Sequence, residues 1–362
     1  MRIRRATSQD NQAILALLEN TPQPGAMSLT FERRPDYFRG AAITCEEPEV
    51  WVAETDGPSP ELGAVYNVGR RRVWVNGDCV PIRYAHDLRI APRHQGSRLL
   101  FRLFRTLKTT LHEAEWMQTV ILRDNGVSRN TVASGRAGLP VYYPFGTIET
   151  SVIHTRPGRF RAPAGLTVRA MTGADRGALL ALLEREGPRK QFFPRLDLSE
   201  LHSSPYFHGL SLGDWVGVWQ GTTLKGVLGS WNQSDIKQTR VNGYRGALEW
   251  LRPLLNATRP LHGGLRLPAP GECLSFVTLH TLVTENNDPQ WLAPLLEHAV
   301  HAHHRDHGAV VCGFFTQDPL RDAVRGFRRR TLFSDHYLVS YGEDPRPRLQ
   351  PDRIPYVEVA RL

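Results

Sequence analysis

Six consecutive residues, Arg93, His94, Gln95, Gly96, Ser97 and Arg98, are the part of this sequence best equipped for chemistry. They stand between a β-rich run, Asp87-Leu88-Arg89-Ile90, and an apolar helical run that starts at Leu99. The first N–H groups of a helix have no internal acceptor and the helix dipole is positive there, so such a junction suits an anion. Gly96 can take positive φ and lets a ligand approach the main chain. Arg93 and Arg98 carry forked guanidinium donors that match phosphate; Gln95 and Ser97 add neutral ones. From Arg89 to Lys108 there are six Lys or Arg and no acid. A phosphate turn, a nucleic-acid-binding helix and a solvated basic face are all open readings of that stretch. The helix itself has two sides. Leu99, Leu100, Leu103, Phe104, Leu107 and Leu111 share a core stripe, and Arg98, Arg102 and Arg105 lie on another.

Other clusters are weaker. His298, His301, His303, His304 and His307 crowd one run, with His303 and His307 at helical i, i+4 spacing. The pattern is not HExxH and fixes no third ligand, so packing or solvation is expected and no metal. Gly69-Arg70-Arg71-Arg72-Val73 reads as a solvated strand end.

The elements that must position these residues belong to a folded chain of 362 residues, too long for one ordinary core. A hydrophobic content of 41% is ordinary for a globular protein. No apolar run is long enough to span a membrane, and the polar start of the sequence predicts no signal peptide. Cys45, Cys79, Cys273 and Cys312 lie far apart, which excludes a CxxC zinc or redox motif. They read as small buried residues of a reduced, cytoplasmic protein. A net charge of +9 favours polyanions in general, but no aromatic-basic stacking module points to nucleic acid.

An internal repeat divides the chain. Arg5-Ala6 and Arg169-Ala170 are 164 residues apart, whereas the helical runs Ala13 to Glu19 and Ala178 to Glu184 are 165 apart, implying one insertion. Each copy reads as strand, Ser8 or Thr172 cap, then amphipathic helix. Residues 156–165 form a Pro-, Gly- and Arg-rich linker. The expected organisation is therefore a domain over 1–155, a second over 166–343 and an extended tail over 344–362. In the first half, helices are expected near Gln9 to Leu18, Thr30 to Phe38 and Gly96 to Glu113, and Val127 to Ser134 also reads as helical. Asn76-Gly77 predicts a hairpin, and Gln118 to Leu122 a strand. The second half repeats the order, with a long helix over Gln290 to His307. The fold class is mixed α/β (α+β): in each half, a largely antiparallel sheet flanked by helices.

The stretch "DLRIAPRHQGSRLLFRLF" and the order of elements around it resemble the central motif of the GNAT superfamily of acetyl-CoA-dependent N-acyltransferases. That motif is a strand, then (Gln/Arg)-x-x-Gly-x-(Gly/Ala), then a helix; this chain departs from it at Arg98. "LRDNGVSRNTVASGRAGLP" resembles the family's Asn-initiated helix, with Asn125 in the matching place. The resemblance implies a tandem pair of GNAT-like domains. It implies transfer of an acyl group, in the first instance acetyl, from CoA to an amine by direct attack on the thioester. The pyrophosphate would sit on Arg93, His94, Gln95, Gly96, Ser97 and Arg98. The main chain of Leu88, Arg89 and Ile90 would hold the pantetheine, and Asn125 would touch the cofactor or that loop. Many members place a tyrosine seven residues after the Asn; that position is Val132, so Tyr142 or Tyr143 would have to replace it as general acid. His86 and Asp87 end the strand where an acid is often found. Alternation sets them on opposite faces, and Asp87 is the candidate base, ahead of Glu54 and Glu32. The second half lacks the loop, and Glu285 and Asp288 would repel pyrophosphate, so one donor site per chain is expected. The acceptor amine is not named by the sequence, and monomer and homo-oligomer both fit. The alternatives are a non-catalytic CoA sensor and a transferase acting on aminoacyl-tRNA.

Overall fold

Asn76 at φ 56° and Gly77 at φ 95° close a hairpin, as that dipeptide predicts. They join β5 (Arg70–Val75) to β6 (Asp78–Tyr84). The computed structural model describes residues 1–58, 60–112, 115–126, 138–258 and 265–362. The other first-half elements are β1 (Arg2–Arg5), α1 (Asn11–Glu19), β2 (Met27–Glu32), α2 (Tyr37–Thr44), β3 (Val50–Glu54), β4 (Leu62–Asn67), β7 (His86–Ile90), α3 (Leu99–Thr110), β8 (Trp116–Leu122) and β9 (Val141–His154). The second half begins with β10 (Leu166–Ala170), α4 (Arg176–Glu186), β11 (Lys190–Gln191), β12 (Trp215–Gln220), β13 (Thr223–Trp231), β14 (Gln238–Tyr244) and α5 (Ala247–Ala257). It continues with β15 (Phe276–Thr284), α6 (Pro289–Ala302), β16 (Ala309–Phe315), β17 (Arg329–Ser340) and β18 (Ile354–Pro355).

The repeat is more regular than its sequence suggests. Arg4 grips the Asp10 carboxylate through both terminal nitrogens at 2.8 Å, and Arg169 grips Asp175 in the same way at 2.7 Å. Thr7 and Thr172 form capping boxes with those same aspartates. All three equivalent pairs are 165 residues apart, so no insertion separates the copies. The first cap is therefore Thr7, not Ser8. The box needs the N-cap N–H and an acid three residues on, and only Thr7 has Asp10 at that spacing.

The strands form a four-stranded sheet, β1-β3-β4-β7, and a ten-stranded mixed sheet, β10-β12-β13-β15-β16-β9-β17-β8-β6-β5. The last long strand of each half lies in the other half's territory. β9 pairs with β16, β17 pairs with β8, and β9 and β17 pair with each other over twelve residue partners. A further link joins β2 to β14. α3 buries Leu99, Leu100, Leu103, Phe104 and Leu107 on one side, and α6 buries Leu292, Leu295, Leu296, Ala299 and Val300. Each of these Leu, Phe and Val side chains contributes roughly 1.5–3 kcal/mol of burial.

Several expectations change. Residues 27–32 are a strand rather than the start of a helix: Met27, Leu29 and Phe31 alternate with polar neighbours and pair with β14, and Asp36 caps α2 beyond Pro35. α6 stops at Ala302, so His303 and His307 do not share a helix; their rings are 6.3 Å apart, and His307 Nδ1 faces the Ser275 hydroxyl at 3.2 Å. Cys45 and Cys312 are buried but Cys79 and Cys273 are exposed, and all four are free thiols. Tyr356, Val357, Glu358, Ala360 and Arg361 are buried. Arg71 is also buried, over the Tyr84 ring, while Arg70 and Arg72 pair with Glu49 and Glu46. The expected helix at 127–134, with Val132, lies outside the described residues. Among the described residues no helix is long and apolar enough to cross a membrane.

The exchanged strands predict that both halves unfold together. Leu338, fully buried in β17 of the second half, lies between β8 and β9 of the first. Leu338→Ala should cost about 2–5 kcal/mol, and urea unfolding followed by fluorescence and by circular dichroism should give one shared midpoint. Separate transitions would contradict this.

Candidate functional site

The site starts where β7 parts from β8. β6 runs parallel to β8 only at Arg83 with Met117 and Tyr84 with Gln118. Ala85 N–H then donates to Gln118 at 2.8 Å. Beyond it β7 follows β4, while β8 follows β17. The split leaves β7 as the edge of its sheet, so the main chain of Leu88, Arg89 and Ile90 has no strand partner on the β8 side. Asp87 shows how open that edge is: its side chain is only 6% exposed, yet the residue as a whole is half-buried, so the accessible part is its backbone.

Asp87 sits at φ 51°, a conformation that non-glycine residues rarely adopt, beside a register shift in the β4–β7 pair. This bulge breaks the alternation expected for the strand. His86 and Asp87 do not point apart: His86 Nδ1 lies 3.2 Å from the Asp87 carboxylate. Leu88 and Ile90 pack towards the α3 core, and Arg89 turns to the opposite face, within electrostatic reach of Asp87, Arg33 and Tyr37.

The loop after β7 takes the form its sequence implies. Pro92–His94 make one 3-10 turn, Gln95 is extended, and Gly96 has φ 75° with open space where a Cβ would stand. Arg93, Gln95, Gly96, Ser97 and Arg98 are exposed, and His94 is half-buried. Arg93 pairs with Glu61, Gln95 donates to the Ile90 carbonyl at 3.3 Å, and Ser97 Oγ donates to the His94 carbonyl at 2.6 Å. Arg98, at the N-cap of α3, makes no side-chain cap. Asn125 lies just past β8, its N–H donating to the Leu122 carbonyl at 3.0 Å.

The equivalent place in the second half is built differently. β15 runs parallel to β16 from Phe276 to Thr278 and then diverges, and Thr281 repeats the bulge at φ 51°, again after a histidine, His280. This second split is filled by the chain itself. Thr281 N–H donates to the Glu358 carboxylate at 2.8 Å, and Leu282 N–H donates to the Tyr356 hydroxyl at 3.3 Å. Asp288 caps α6 by accepting from Gln290 N–H at 2.9 Å, and Glu285 pairs with Lys225 at 2.6 Å. The helix start that would hold an anion already has an acid on it.

Asp87 is held by charge. Burial alone would raise its carboxyl, but Arg33, the His86 hydrogen bond and Arg89 outweigh burial and keep it well below the usual range. Arg33 Nη2 is 3.3 Å from it. An ionised carboxylate so occupied is a poor proton acceptor. The group poised near neutrality is Lys237, which no motif marked. Burial, with Arg33 beside it and Asp87 opposing, brings its ammonium down to about 7. Its Nζ donates to the main-chain oxygens of Ala360 at 3.3 Å and Leu362 at 2.6 Å. Nothing local in the sequence around Lys237 signals this, because its neighbours come from the segment after β2, from β7 and from the tail.

The tyrosines do not join this cluster. β9 is separated from the β6–β7 side of the sheet by β17 and β8. Tyr142 packs against Tyr337 and the α3 core, and its hydroxyl is raised by burial; on the opposite face Tyr143 donates to the Gly342 carbonyl at 3.3 Å. Both tyrosines make packing contacts here, and the structure does not bring either to the Asp87 and Lys237 cluster. Glu54 and Glu32 are held in ion pairs with Arg4 and Arg240. Among the described residues no cluster of His, Cys, Asp and Glu could hold a metal.

No protein-family model matches the sequence. No curated protein matches it. Solved structures do match. N-myristoyltransferase of Saccharomyces cerevisiae, with bound myristoyl-CoA, is 13% identical over 95% of this chain and 84% of that one, at a TM-score of 0.57. A GCN5-related N-acetyltransferase from Sphaerobacter thermophilus is 14% identical over 95% of this chain and 97% of that one, at 0.51. A GCN5-related glucosamine N-acetyltransferase region of a fungal β-N-acetylglucosaminidase is 13% identical over 93% of this chain and 38% of that one, at 0.61. At such identities the likeness is one of fold alone, the fold that these N-acyltransferases share.

Asp87→Asn should remove the buried pair and cost about 3–5 kcal/mol. Because the folded carboxyl lies below its unfolded value, its contribution is complete above that value, about 3.9, and drains as pH falls through and below it. Urea unfolding from pH 7 to pH 3 should show a shallower acid slope for the variant; equal slopes would contradict the assignment.

Proposed function

We propose that this chain is an N-acyltransferase that moves an acyl group from a CoA thioester, with acetyl-CoA as the expected donor, to an amine. The observation that carries this reading is the contrast between two repeated clefts, one filled by Glu358 and Tyr356 and capped by Asp288, the other edged by accessible main chain and a turn that carries no acid, capped only by the neutral Ser97 hydroxyl, which accepts from Leu99 N–H at 3.2 Å. The fold shared with acyl-CoA-dependent transferases agrees with it, though fold alone does not fix activity. In this reading residues 1–155 hold the donor. Residues 166–343, after the linker 156–165, complete the acceptor side, and the tail 344–362 closes the second cleft.

The pyrophosphate lies on the turn Arg93 to Arg98 and the start of α3, where free N–H groups and guanidinium donors meet it. The pantetheine follows Leu88, Arg89 and Ile90, and Asn125 borders the same cleft. A main-chain N–H of that edge polarises the thioester carbonyl. The amine nitrogen attacks the carbonyl carbon; the C–N bond forms, the C–S bond breaks, and the CoA thiolate leaves with its electron pair. The proton lost by the amine goes to Lys237, whose neutral form is populated near pH 7. Asp87 holds Arg33 and orients the bulge. Thiolate leaves readily, so no tyrosine acid is required. Positioning two reactants in one cleft supplies most of the acceleration.

Calorimetry at low salt should give one acetyl-CoA site per chain, and Gly96→Glu should remove it while the melting temperature holds. No binding by the wild type sinks the reading. A panel of amines with acetyl- and longer acyl-CoA donors, followed by mass spectrometry, separates a transferase from a CoA sensor, which would bind donor and form no product. Titration with aminoacyl-tRNA tests the third possibility, since such binding must weaken steeply with salt.

Lys237 is faced by Arg33, Asp87, His86 and Arg361. If it takes the proton, kcat/KM rises with pH through about 7, and Lys237→Met lowers it by roughly 10²–10⁴ and removes that limb. An unchanged limb in the variant would assign the proton to another group.

A further inference from the structure

Five cationic side chains converge beside the donor cleft: Arg33, Arg71, Arg89, Lys237 and Arg361. Three carboxylates, Asp87, Glu358 and Glu46, stand among them; Glu46 is paired outward with Arg72, and only Arg33 with Asp87 makes an ion pair within the group among the described residues. Burying cations without counter-charge is costly, so each of the rest needs an explanation. Arg361 has one: it donates to the carbonyls of Ile43 at 2.6 Å and Tyr206 at 2.8 Å and stacks 3.4 Å over the Tyr206 ring. Arg71 has another, lying 4.2 Å over Tyr84 and reaching Gln118 at 3.3 Å. Lys237 donates to two main-chain oxygens.

Arg89 and Arg33 are not so accounted for. The Arg89 side chain donates only to the carbonyl of its neighbour Leu88, at 3.0 Å, among the described residues. The residue is half-buried as a whole while burial lowers its guanidinium, and it stands on β7 between two residues whose main chain edges the donor cleft. Arg33 is 6% exposed, and its Nε, which Asp87 does not reach, is buried with no hydrogen-bond partner. Two guanidinium groups thus offer unused donors on the face opposite the α3 core, beside Asp87 and Lys237.

We propose that the acceptor amine carries an anionic group, a carboxylate or a phosphate, and that Arg89 together with Arg33 receives it. This rests on the acyl-transfer reading and names the substrate class for it. The anion pairs with the two guanidinium groups through charge-assisted hydrogen bonds and offsets the excess buried positive charge. The amine of the same molecule is then held near the thioester carbon, with Lys237 close by. Arg71 and Arg361, sealed and already bonded, take no part in recognition.

The test compares matched acceptors at equal concentrations of free amine with acetyl-CoA. Glycine is set against glycinamide, and phosphoethanolamine against ethanolamine. At least one anionic member should exceed its neutral partner in kcat/KM by about tenfold or more, and which pair discriminates identifies carboxylate or phosphate. Arg89→Gln should abolish the discrimination, and Arg89→Lys should restore part of it, which a merely structural role for Arg89 would not do. A readout independent of turnover is calorimetric titration of the full chain with N-acetylglycine against N-acetylglycinamide, and with the N-acetyl forms of the second pair. Tighter binding of an anionic form supports the proposal, and equal binding with equal kcat/KM overturns it. Should Arg89→Gln fail to fold, the wild-type comparisons still decide. Failure of the acyl-transfer reading shows separately, as no acetyl-CoA binding and no product from any amine; preference for the anionic N-acetyl compounds remains measurable in that case.

Discussion

The antiparallel pairing of β9 with β17 governs the rest of the molecule, because each strand closes one half while lying against the other. β9 reaches β16 and β17 reaches β8, so neither half has a complete sheet of its own. The pairing also decides what lies between the halves. β2 pairs with β14, and the tail residues 356–361 enter the second cleft from that same inner side. A chain that had merely duplicated a domain and joined the copies by a linker would have left two similar clefts. Here the coupling lets one copy furnish side chains to the other.

From that coupling comes the division of labour. The bulge appears twice, at Asp87 and Thr281, each after a histidine and each at φ 51°. Positive φ at a non-glycine residue costs energy and is kept only where surrounding structure fixes it. In the second copy the payoff is internal: the turned main chain donates to Glu358 and Tyr356. In the first copy the same turn brings His86 to Asp87 and leaves an accessible edge. One geometry therefore serves as a structural joint in one half and as a ligand-facing edge in the other.

Electrostatics at the junction follows from which elements meet there. Arg33 comes from the segment between β2 and α2, Asp87 and Arg89 from β7, Lys237 from the segment before β14, and Arg361 from the tail. None of these is unusual alone. Brought together out of water, they force Asp87 down, Lys237 down and the Glu358 carboxyl up, the last chiefly by burial. Asp87 thereby loses value as a base and gains it as an anchor for Arg33.

Local chemistry was readable from the sequence wherever the cause was local. Asn76-Gly77 needs positive φ whatever surrounds it; Gly96 between a strand and an arginine-rich helix marks the turn; the apolar stripe of α3 follows from helical spacing; the repeated Arg–Thr–Asp pattern marks two equivalent starts. Errors arose where distant partners decide. Residues 27–32 are a strand because β14 pairs with them, Asp87 and His86 meet because a bulge breaks the alternation, and Tyr142 and Tyr143 belong to packing because β9 has crossed to the other half. Lys237 and the tail were invisible as site components, since their environment is assembled from segments hundreds of residues apart. The sequence by itself determined the turns, caps and apolar faces, whose energies depend on neighbours within a few residues. Only the tertiary structure decided which cleft is filled, which charges share a dry junction and which lysine is pressed towards neutrality, because desolvation and Coulomb interactions depend on distance in space rather than along the chain.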